Sequence, residues 1–427
     1  MKDNIRELIV DIHHIWLRTP ISVFFYCLSR VLFLFGIEKK GLKCLLFSIR
    51  EAYLTHPIKY LKNIIKYDAH ILVSNISPPT SKQDVIARTI ILSMPVYSDK
   101  KVVRKGTLLI KFSHVFSYFI HHSIIEKLNS QFVFILEPSW AGYADADILC
   151  FLSHADDCVI QASELQDRIL ISSLYPNHKA TQFGSGNWAD PDVFLPRVAH
   201  KEFDFIYVAN LNPIKRIYRL LRAIVKISKK HPEIRGVIIC AGWGKGDLVH
   251  YSNFIERHKI EKNIMLRSGV PQKELALLTS SSKVSLLLSY KEGSNRAIFE
   301  SMLAGVPSLL LAENIGTNKS YVNEHTGLII KDAFLEDALI YFIDHWRNFN
   351  PRQWALDNFT PTATTTQLSK LLESTFGNRV NSHLQLKCNS PELTYIDNSI
   401  DRIKINSQLF ETFDCQVIDH ELLSTFN

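Results

Sequence analysis

Two carboxylates, Glu292 and Glu300, lie eight positions apart and frame the stretch best equipped for chemistry. Between them, Gly293-Ser294-Asn295-Arg296 makes a tight polar turn, and Ile298, Phe299, Met302 and Leu303 follow at helical spacing. The apolar run Val284–Ser289 precedes the turn. Gly305 closes the helical pattern, since glycine accepts the left-handed conformation a helix C-terminus needs. Pro307 then opens a second apolar run, Ser308–Ala312. The segment therefore reads strand, loop, helix, strand, with Glu292 in the loop and Glu300 in the helix. In an open parallel sheet, ligands bind beyond the carboxyl ends of the strands. Backbone N–H groups at a helix start favour an anion or a hydroxyl-rich ligand there. A carboxylate such as Glu300 can accept two hydrogen bonds from a vicinal diol, the arrangement found in ribose. From the spacing alone a plainer reading is favoured. A glutamate before a helix suits the macrodipole, and one within a helix is commonly solvated.

The elements that must position these groups alternate regularly from Phe203 onward. Strands are expected at Asp204–Ala209, Gly236–Cys240 and Ile264–Arg267, and helices at Lys215–Lys230, up to Lys259, and at Lys273–Ser281. That alternation predicts a doubly wound parallel sheet. Gly242-Trp243-Gly244-Lys245-Gly246 is a glycine-rich turn within it. Upstream, His70–Ile76 reads as a first strand, followed by a loop at Pro78-Pro79. Gly106–Phe112, Gln131–Leu136 and Asp157–Gln161 read as further buried strands. The loop after Leu136 carries Glu137, Trp140 and Tyr143, aromatic and polar groups of the kind sugars pack against. Asp145-Ala146-Asp147 ends that loop and reads as the start of a helix.

The run Glu292-Gly-Ser-Asn-Arg-Ala-Ile-Phe-Glu300-Ser-Met-Leu-Ala-Gly-Val-Pro307 resembles the signature of retaining, nucleotide-sugar-dependent glycosyltransferases of the GT-B fold, family four. Ser301 stands where that family has alanine. Further likeness lies at Pro191, Phe194 and Pro196, at Asn314-Ile315-Gly316, at Thr326–Ile330 and at Phe359-Thr360-Pro361. The resemblance implies two Rossmann-like α/β domains facing across a cleft. Its expected boundaries are an N-terminal acceptor-side domain at 66–200, a nucleotide-sugar domain at 201–358 and a crossover helix at 359–375. A helical extension at 1–65 and an appendage at 376–427 lie outside it.

Residue by residue, the resemblance assigns Glu300 to the ribose hydroxyls, Glu292 with the Gly293-Ser294-Asn295 loop to the sugar, and Arg296 to the donor side. The family's diphosphate-binding arginine and lysine fall here on Asn210 and Lys215, with Arg216 adjacent to supply a guanidinium. Gly242 belongs to the same donor side, and Glu137, Trp140 and Tyr143 to the acceptor side. The implied donor is a nucleoside-diphosphate sugar. The implied acceptor is a glycan or a lipid-linked molecule, in a setting such as bacterial surface polysaccharide synthesis. No metal or other cofactor is called for. The alternatives are a nucleotide-sugar epimerase of the same fold and a non-catalytic relative that only binds, which Asn210 would permit.

With 427 residues, 46% of them hydrophobic and 21% charged, the chain is globular and long enough for more than one domain. Its seven cysteines are scattered without metal-ligand spacing, the pattern of a reduced, cytoplasmic protein. Residues 1–111 hold 18 Lys+Arg against 8 Asp+Glu, whereas the whole chain carries only +7. A basic start suggests an anionic surface as partner, membrane or polyanion, against the plainer reading of a solvated basic face, and nucleic acid is not expected. The apolar run Ile21–Ile37, with Arg30 inside it and Arg18, Lys39, Lys40 and Lys43 around it, reads as a helix in a core or on a membrane surface. Pro20 is expected to separate it from the helix before. The segments Thr394–Ile396 and Ile403–Ile405 alternate in the manner of short strands.

Overall fold

The computed structural model describes residues 2–198, 200–241 and 247–384, and the chain divides into two compact units. One holds residues 1–17 and 185–363; the other holds residues 18–184 and, from Thr364, the chain's last part. The expected strands near Thr394 and Ile403, and the glycine-rich turn at Gly242, lie outside the described residues.

In the second unit the strands are β1 (Thr89–Ser93), β2 (Val96–Ser98), β3 (Lys101–Arg104), β4 (Gly106–Lys111), β5 (Phe132–Glu137), β6 (Cys158–Gln161) and β7 (Lys179–Thr181). Five of them form one sheet in the order β1-β4-β5-β6-β7, while β2 and β3 make a hairpin of their own. β1 runs antiparallel to β4; the other neighbours are parallel. Every residue of β4, β5 and β6 is buried, as strands covered on both faces must be. The segment expected as a first strand is instead a 3-10 helix, Ala69–Asn75, capped by Asp68, whose carboxylate accepts from the backbone N–H of His70 at 3.1 Å. Ile71 and Leu72 are both buried, so this apolar run points consecutive side chains inward, which a strand with one covered face cannot do.

Four helices open the chain: α1 (Lys2–Ile12), α2 (Arg18–Leu34), α3 (Glu38–Glu51) and α4 (Thr55–Tyr67). Pro20 does not break them apart. A π-helical turn at His13–Leu17 joins α1 to α2, and wide turns of that kind absorb a proline's missing donor and its ring. Within the second unit, α2 and α3 are tied by buried serines: the Ser22 hydroxyl donates to the Ser48 carbonyl at 2.8 Å, and the Ser48 hydroxyl returns a bond to the Ser22 carbonyl at 2.7 Å.

The first unit is built on β8 (Phe203–Asn210), β9 (Gly236–Ala241), β10 (Ile264–Ser268), β11 (Ser282–Leu287), β12 (Ser308–Leu311) and β13 (Gly327–Ile330). They form a wholly parallel sheet in the order β10-β9-β8-β11-β12-β13. Phe205, Tyr207, Val284, Leu286, Leu309 and Leu311 face helix residues such as Leu220, Leu221 and Ile224 in one continuous core. Gly327, at φ +158, allows β13 to pair with β12, since a Cβ there would sit 1.9 Å from the Ser308 carbonyl oxygen. The chain runs outward from β8 to β9 and β10, then returns to place β11 on β8's other side. The carboxyl ends of β8 and β11 therefore flank the point where the strand order reverses, where a crevice opens in such sheets.

Candidate active site

Two loops meet at that reversal. The one after β8 carries Asn210 to Arg216, and the one after β11 carries Leu288 to Asn295. Pro213–Lys215 forms a 3-10 turn, with Asn212 as its cap, and the helix that follows begins at Ile217 rather than at Lys215. The backbone N–H of Tyr290 donates to the Ile214 carbonyl at 3.1 Å, stitching the two loops together.

At their junction the Lys215 ammonium lies 2.5 Å from Glu292 Oε2, and both side chains are more than nine-tenths buried. The Ser289 hydroxyl donates to the other carboxylate oxygen at 2.6 Å. Asn314 fixes that serine, its amide donating to the Ser289 carbonyl at 2.8 Å and to the hydroxyl at 3.3 Å. The Glu292 N–H donates to the Ile315 carbonyl at 2.8 Å. A charge pair this buried holds its geometry because separating the two charges where little water can reach them is costly. The sequence marked Asn314 and Ile315 only as a matching landmark. Their work is to aim Glu292.

Arg216 has a different task from its neighbour. It sits at φ +60, in the left-handed region, and its side chain is buried. The guanidinium donates to Asp332 at 2.7 Å and to the Leu288 carbonyl at 3.4 Å, and it stacks 4.0 Å above the Tyr290 ring. Burial disfavours its charge, but the hydrogen bond and charge of Asp332 outweigh that and hold its pKa above the ordinary arginine value. Asp332 also binds Arg219 at 2.9 Å. The expectation that Arg216 offers a guanidinium to a diphosphate meets a side chain already committed to this network.

The network extends to α1. Asp11 Oδ1 accepts from the Tyr218 hydroxyl at 2.7 Å and the Tyr290 hydroxyl at 3.1 Å, and lies 3.6 Å from Arg216 Nε. The His14 ring stacks on Tyr290 with centroids 4.6 Å apart. One turn earlier, Glu7 binds Arg222 at 3.1 Å and His250 at 3.0 Å. No local sequence pattern signals these contacts, because Asp11 and Tyr290 are 279 residues apart.

Glu300 is buried on the helix Arg296–Leu303 and accepts from Arg296 at 2.8 Å, one turn back. Asn295 caps this helix through Ile298 N–H at 3.2 Å. Ser294 is anchored by Gly186, whose N–H donates to the Ser294 hydroxyl at 2.9 Å. Gly293 to Arg296 are half-buried, which leaves the turn partly open to solvent. Asn210 is buried, and its side-chain oxygen accepts from Asn212 N–H at 3.0 Å, so it braces its own loop. Lys215, Glu292, the Gly293–Arg296 turn and Glu300 thus share the end of one sheet, while Gly242 lies outside the described residues.

The acceptor-side candidates belong to the other unit. Glu137 ends β5, is buried, and pairs with Lys111 at 3.2 Å, its register partner at the end of β4. Tyr143 is buried too, its hydroxyl donating to the Gln161 carbonyl at 2.6 Å. Asp167 holds the loop between them: its carboxylate accepts from Gly142 N–H at 2.8 Å, from Tyr143 N–H at 2.7 Å and from the Tyr53 hydroxyl. Burial outweighs these bonds and raises the Asp167 pKa to about 6. Trp140, 40% exposed, is the exposed member of the trio. Asp145 begins a helix as expected, accepting from Asp147 N–H at 3.0 Å. Among the described residues, no group of three or more His, Cys, Asp or Glu is placed to hold a metal ion.

Residues 194–349 match the family described as Glycosyl transferases group 1, the type that the Glu292–Pro307 stretch resembles. The match covers just over a third of the chain and spans the parallel sheet with both loops of the site. No curated protein matches the chain. Among solved structures it is similar to TarM, with 12% identity, 63% of this chain and 54% of that one covered, and a TM-score of 0.49. It is similar to the pneumococcal O-GlcNAc transferase GtfA, solved with UDP and GlcNAc, at 16% identity, 59% and 54% coverage, and a TM-score of 0.47. A third is sucrose-phosphate synthase from Thermosynechococcus elongatus, at 15% identity, 63% and 73% coverage, and a TM-score of 0.49. The chain thus spans about half the length of TarM and of GtfA. The architecture is α/β, two Rossmann-like units with a helical N-terminal region, and it is within the first unit that residues 194–349 match the family described above.

Proposed function

We propose that the protein transfers a sugar from a nucleoside-diphosphate sugar to a glycan or lipid-linked acceptor, with retention of anomeric configuration. The observation that carries this reading is the dry Lys215–Glu292 pair, set where the strand order reverses, beside the start of the helix that carries Glu300 one turn in. In the proposed reaction Lys215 faces the diphosphate and offsets the negative charge that grows as the sugar departs. Glu292 holds that ammonium in place and, with Gly293, Ser294 and Asn295, meets the sugar hydroxyls. Glu300 accepts from the ribose diol, and Arg296 steadies it. Retention is assigned to attack from the face the diphosphate leaves, so no protein nucleophile is invoked. Arg216 and Asn210 brace the loop rather than touch donor.

The acceptor is assigned to the unit that holds Trp140, in bacterial surface polysaccharide synthesis. A peripheral place on the cytoplasmic face of a membrane belongs to the same proposal. Asn4–Leu34 is long and apolar enough to cross a membrane by length and composition, and its most apolar window is only 11% buried. Glu7 and Asp11, bound to cations and tyrosines of the first unit, favour a helix lying on the surface over one that spans.

The test is a thermal-shift panel of UDP-, GDP-, ADP- and CMP-sugars on wild type and Glu300→Ala. A ligand at about 100 times its Kd stabilises by roughly 2.7 kcal/mol, a shift of several degrees. One nucleotide should stabilise wild type and fail in the variant. Equal shifts in both would remove Glu300 from the donor site. A stabilised protein that forms no sugar-transfer product with lipid and glycan extracts would refute the transferase reading.

A further inference from the structure

A cavity of about 430 Å³ opens in the second unit and is lined only by residues of that unit. One wall is a face of α3. Lys39, Lys43, Leu46 and Arg50 fall at i, i+4, i+7 and i+11 and so line up along it, with Lys40 beside them. Ser74 to Ser77, Asp145 and the start of the helix Ala146–His154 complete the lining. The volume suits a small ligand.

The charges within it do not cancel. Arg50 is matched by Asp145 at 3.3 Å. Asp147 is buried and takes the backbone N–H of Ser77 at 2.7 Å. Lys39, Lys40 and Lys43 are exposed, and none of their ammonium groups is held in an ion pair among the described residues. Three lysines therefore face one concavity with a single carboxylate left to oppose them. Lysine binds phosphate as a point charge, and several converging on one cavity suit a doubly charged group better than a singly charged one.

What precedes Lys39 in the chain narrows the ligand further. The turn that leads into Lys39 carries Leu34, Phe35 and Ile37, which are 82%, 77% and 43% exposed. They continue an apolar face of α2 on which Val23, Phe24 and Val31 are also exposed. A wholly polar anion would leave this surface bare to water.

We propose that the cavity binds the phosphomonoester or diphosphate headgroup of a lipid, with Lys39, Lys40 and Lys43 on the phosphate and the acyl or prenyl chain along Leu34–Ile37. This binding is independent of the transferase reading, because it is detected without sugar transfer. If donor binding fails and lipid binding holds, only the function proposed above is lost.

The experiment is vesicle co-sedimentation of the full chain with phosphatidylcholine vesicles containing phosphatidic acid. The comparison vesicles contain phosphatidylglycerol matched for surface charge. Wild type should bind the phosphatidic acid vesicles more tightly, and inorganic pyrophosphate should compete. The triple variant Lys39→Ala/Lys40→Ala/Lys43→Ala should bind on the order of 100-fold more weakly, whereas Lys→Arg at all three sites should retain binding. Circular dichroism checks that both variants fold. Equal binding to the two charged vesicles would mean a diffuse basic surface and would overturn the proposal. So would unchanged binding by the alanine variant, or pyrophosphate binding as tight as that of the lipid.

Discussion

The Lys215–Glu292 pair lets structural and catalytic roles be separated by three variants: Lys215→Met, Glu292→Gln and the two together. The ammonium and carboxylate lie 2.5 Å apart, and their side chains are 8% and 6% exposed. Removing one partner strands the other charge in a dry loop junction, which costs about 3–5 kcal/mol. A unit of this size loses roughly 2–4 °C in Tm per kcal/mol, so each single variant should melt about 6–20 °C below wild type. The double variant removes both charges, and replacing a buried pair by neutral groups is often close to neutral. Methionine has the length and flexibility to fill the lysine's path. Its Tm should therefore return most of the way, giving a coupling well above the few tenths of a kcal/mol expected of independent sites. Turnover should not return. If Lys215 offsets charge on the departing diphosphate, its loss should lower kcat by about 10²–10³ in Lys215→Met and in the double variant alike. Calorimetry reads the first quantity, and transfer from the nucleotide sugar that the donor panel selects reads the second. Additive Tm losses would refute the coupled pair. Recovery of turnover alongside stability would refute the role of Lys215 at the phosphate and leave it a structural ion pair.

Two further outcomes follow from groups the sequence did not mark. Asp167 has a pKa raised by burial to about 6, above the ordinary carboxylate value, so its contribution to stability is full below about pH 4 and is lost as pH rises through 6. Melting of the second unit should weaken over that window by roughly 3 kcal/mol. Asp167→Asn should flatten the slope while lowering stability throughout, because an amide N–H2 would face the Gly142 or Tyr143 N–H. An unchanged slope would assign the titration to another group. Asp11→Ala removes the acceptor shared by Tyr218 and Tyr290 and should destabilise the first unit by about 2 kcal/mol. Asp11→Asn, which keeps an acceptor oxygen, should cost clearly less, and equal losses in thermal melts would mean the carboxylate's charge on Arg216 matters more than its hydrogen bonds.

The first unit was legible because its parallel strands are buried on both faces. β8, β9, β11 and β12 appear as apolar runs with turn residues between them, and the expected strand limits agree with the observed ones to within about two residues. The second unit hid more. β2 and β3 join through Asp99 and Lys100, both at positive φ, where glycine or asparagine would have announced a hairpin. The short run at 70–76 could not be told from a strand, because a few apolar residues in a row suit a tight helix equally well. β1 escaped notice next to a helix, Lys82–Arg88, that runs directly into it.

The site divides along the same line between local and distant information. That Glu292, Glu300 and Lys215 come together at the end of one sheet was readable because each belongs to a short stretch whose spacing is carried by one loop and one helix. Asp11, His14 and Asp332 were not, since they reach the site from distant parts of the chain. Arg216 shows why a neighbouring charge is a poor substitute for geometry. As a basic residue beside Lys215 it looked interchangeable with the arginine that Asn210 replaces. The left-handed backbone at Arg216 turns the chain between the two residues, so consecutive side chains take different directions. Lys215 goes to Glu292 at the mouth of the sheet, and Arg216 goes down to Asp332 and Asp11. A residue with one sharply defined φ thus decides which of two adjacent cations is left facing the carboxylate. It also ties α1 to the loop that carries that carboxylate, because Tyr290, two residues before Glu292, is held by Asp11, His14 and Arg216 together.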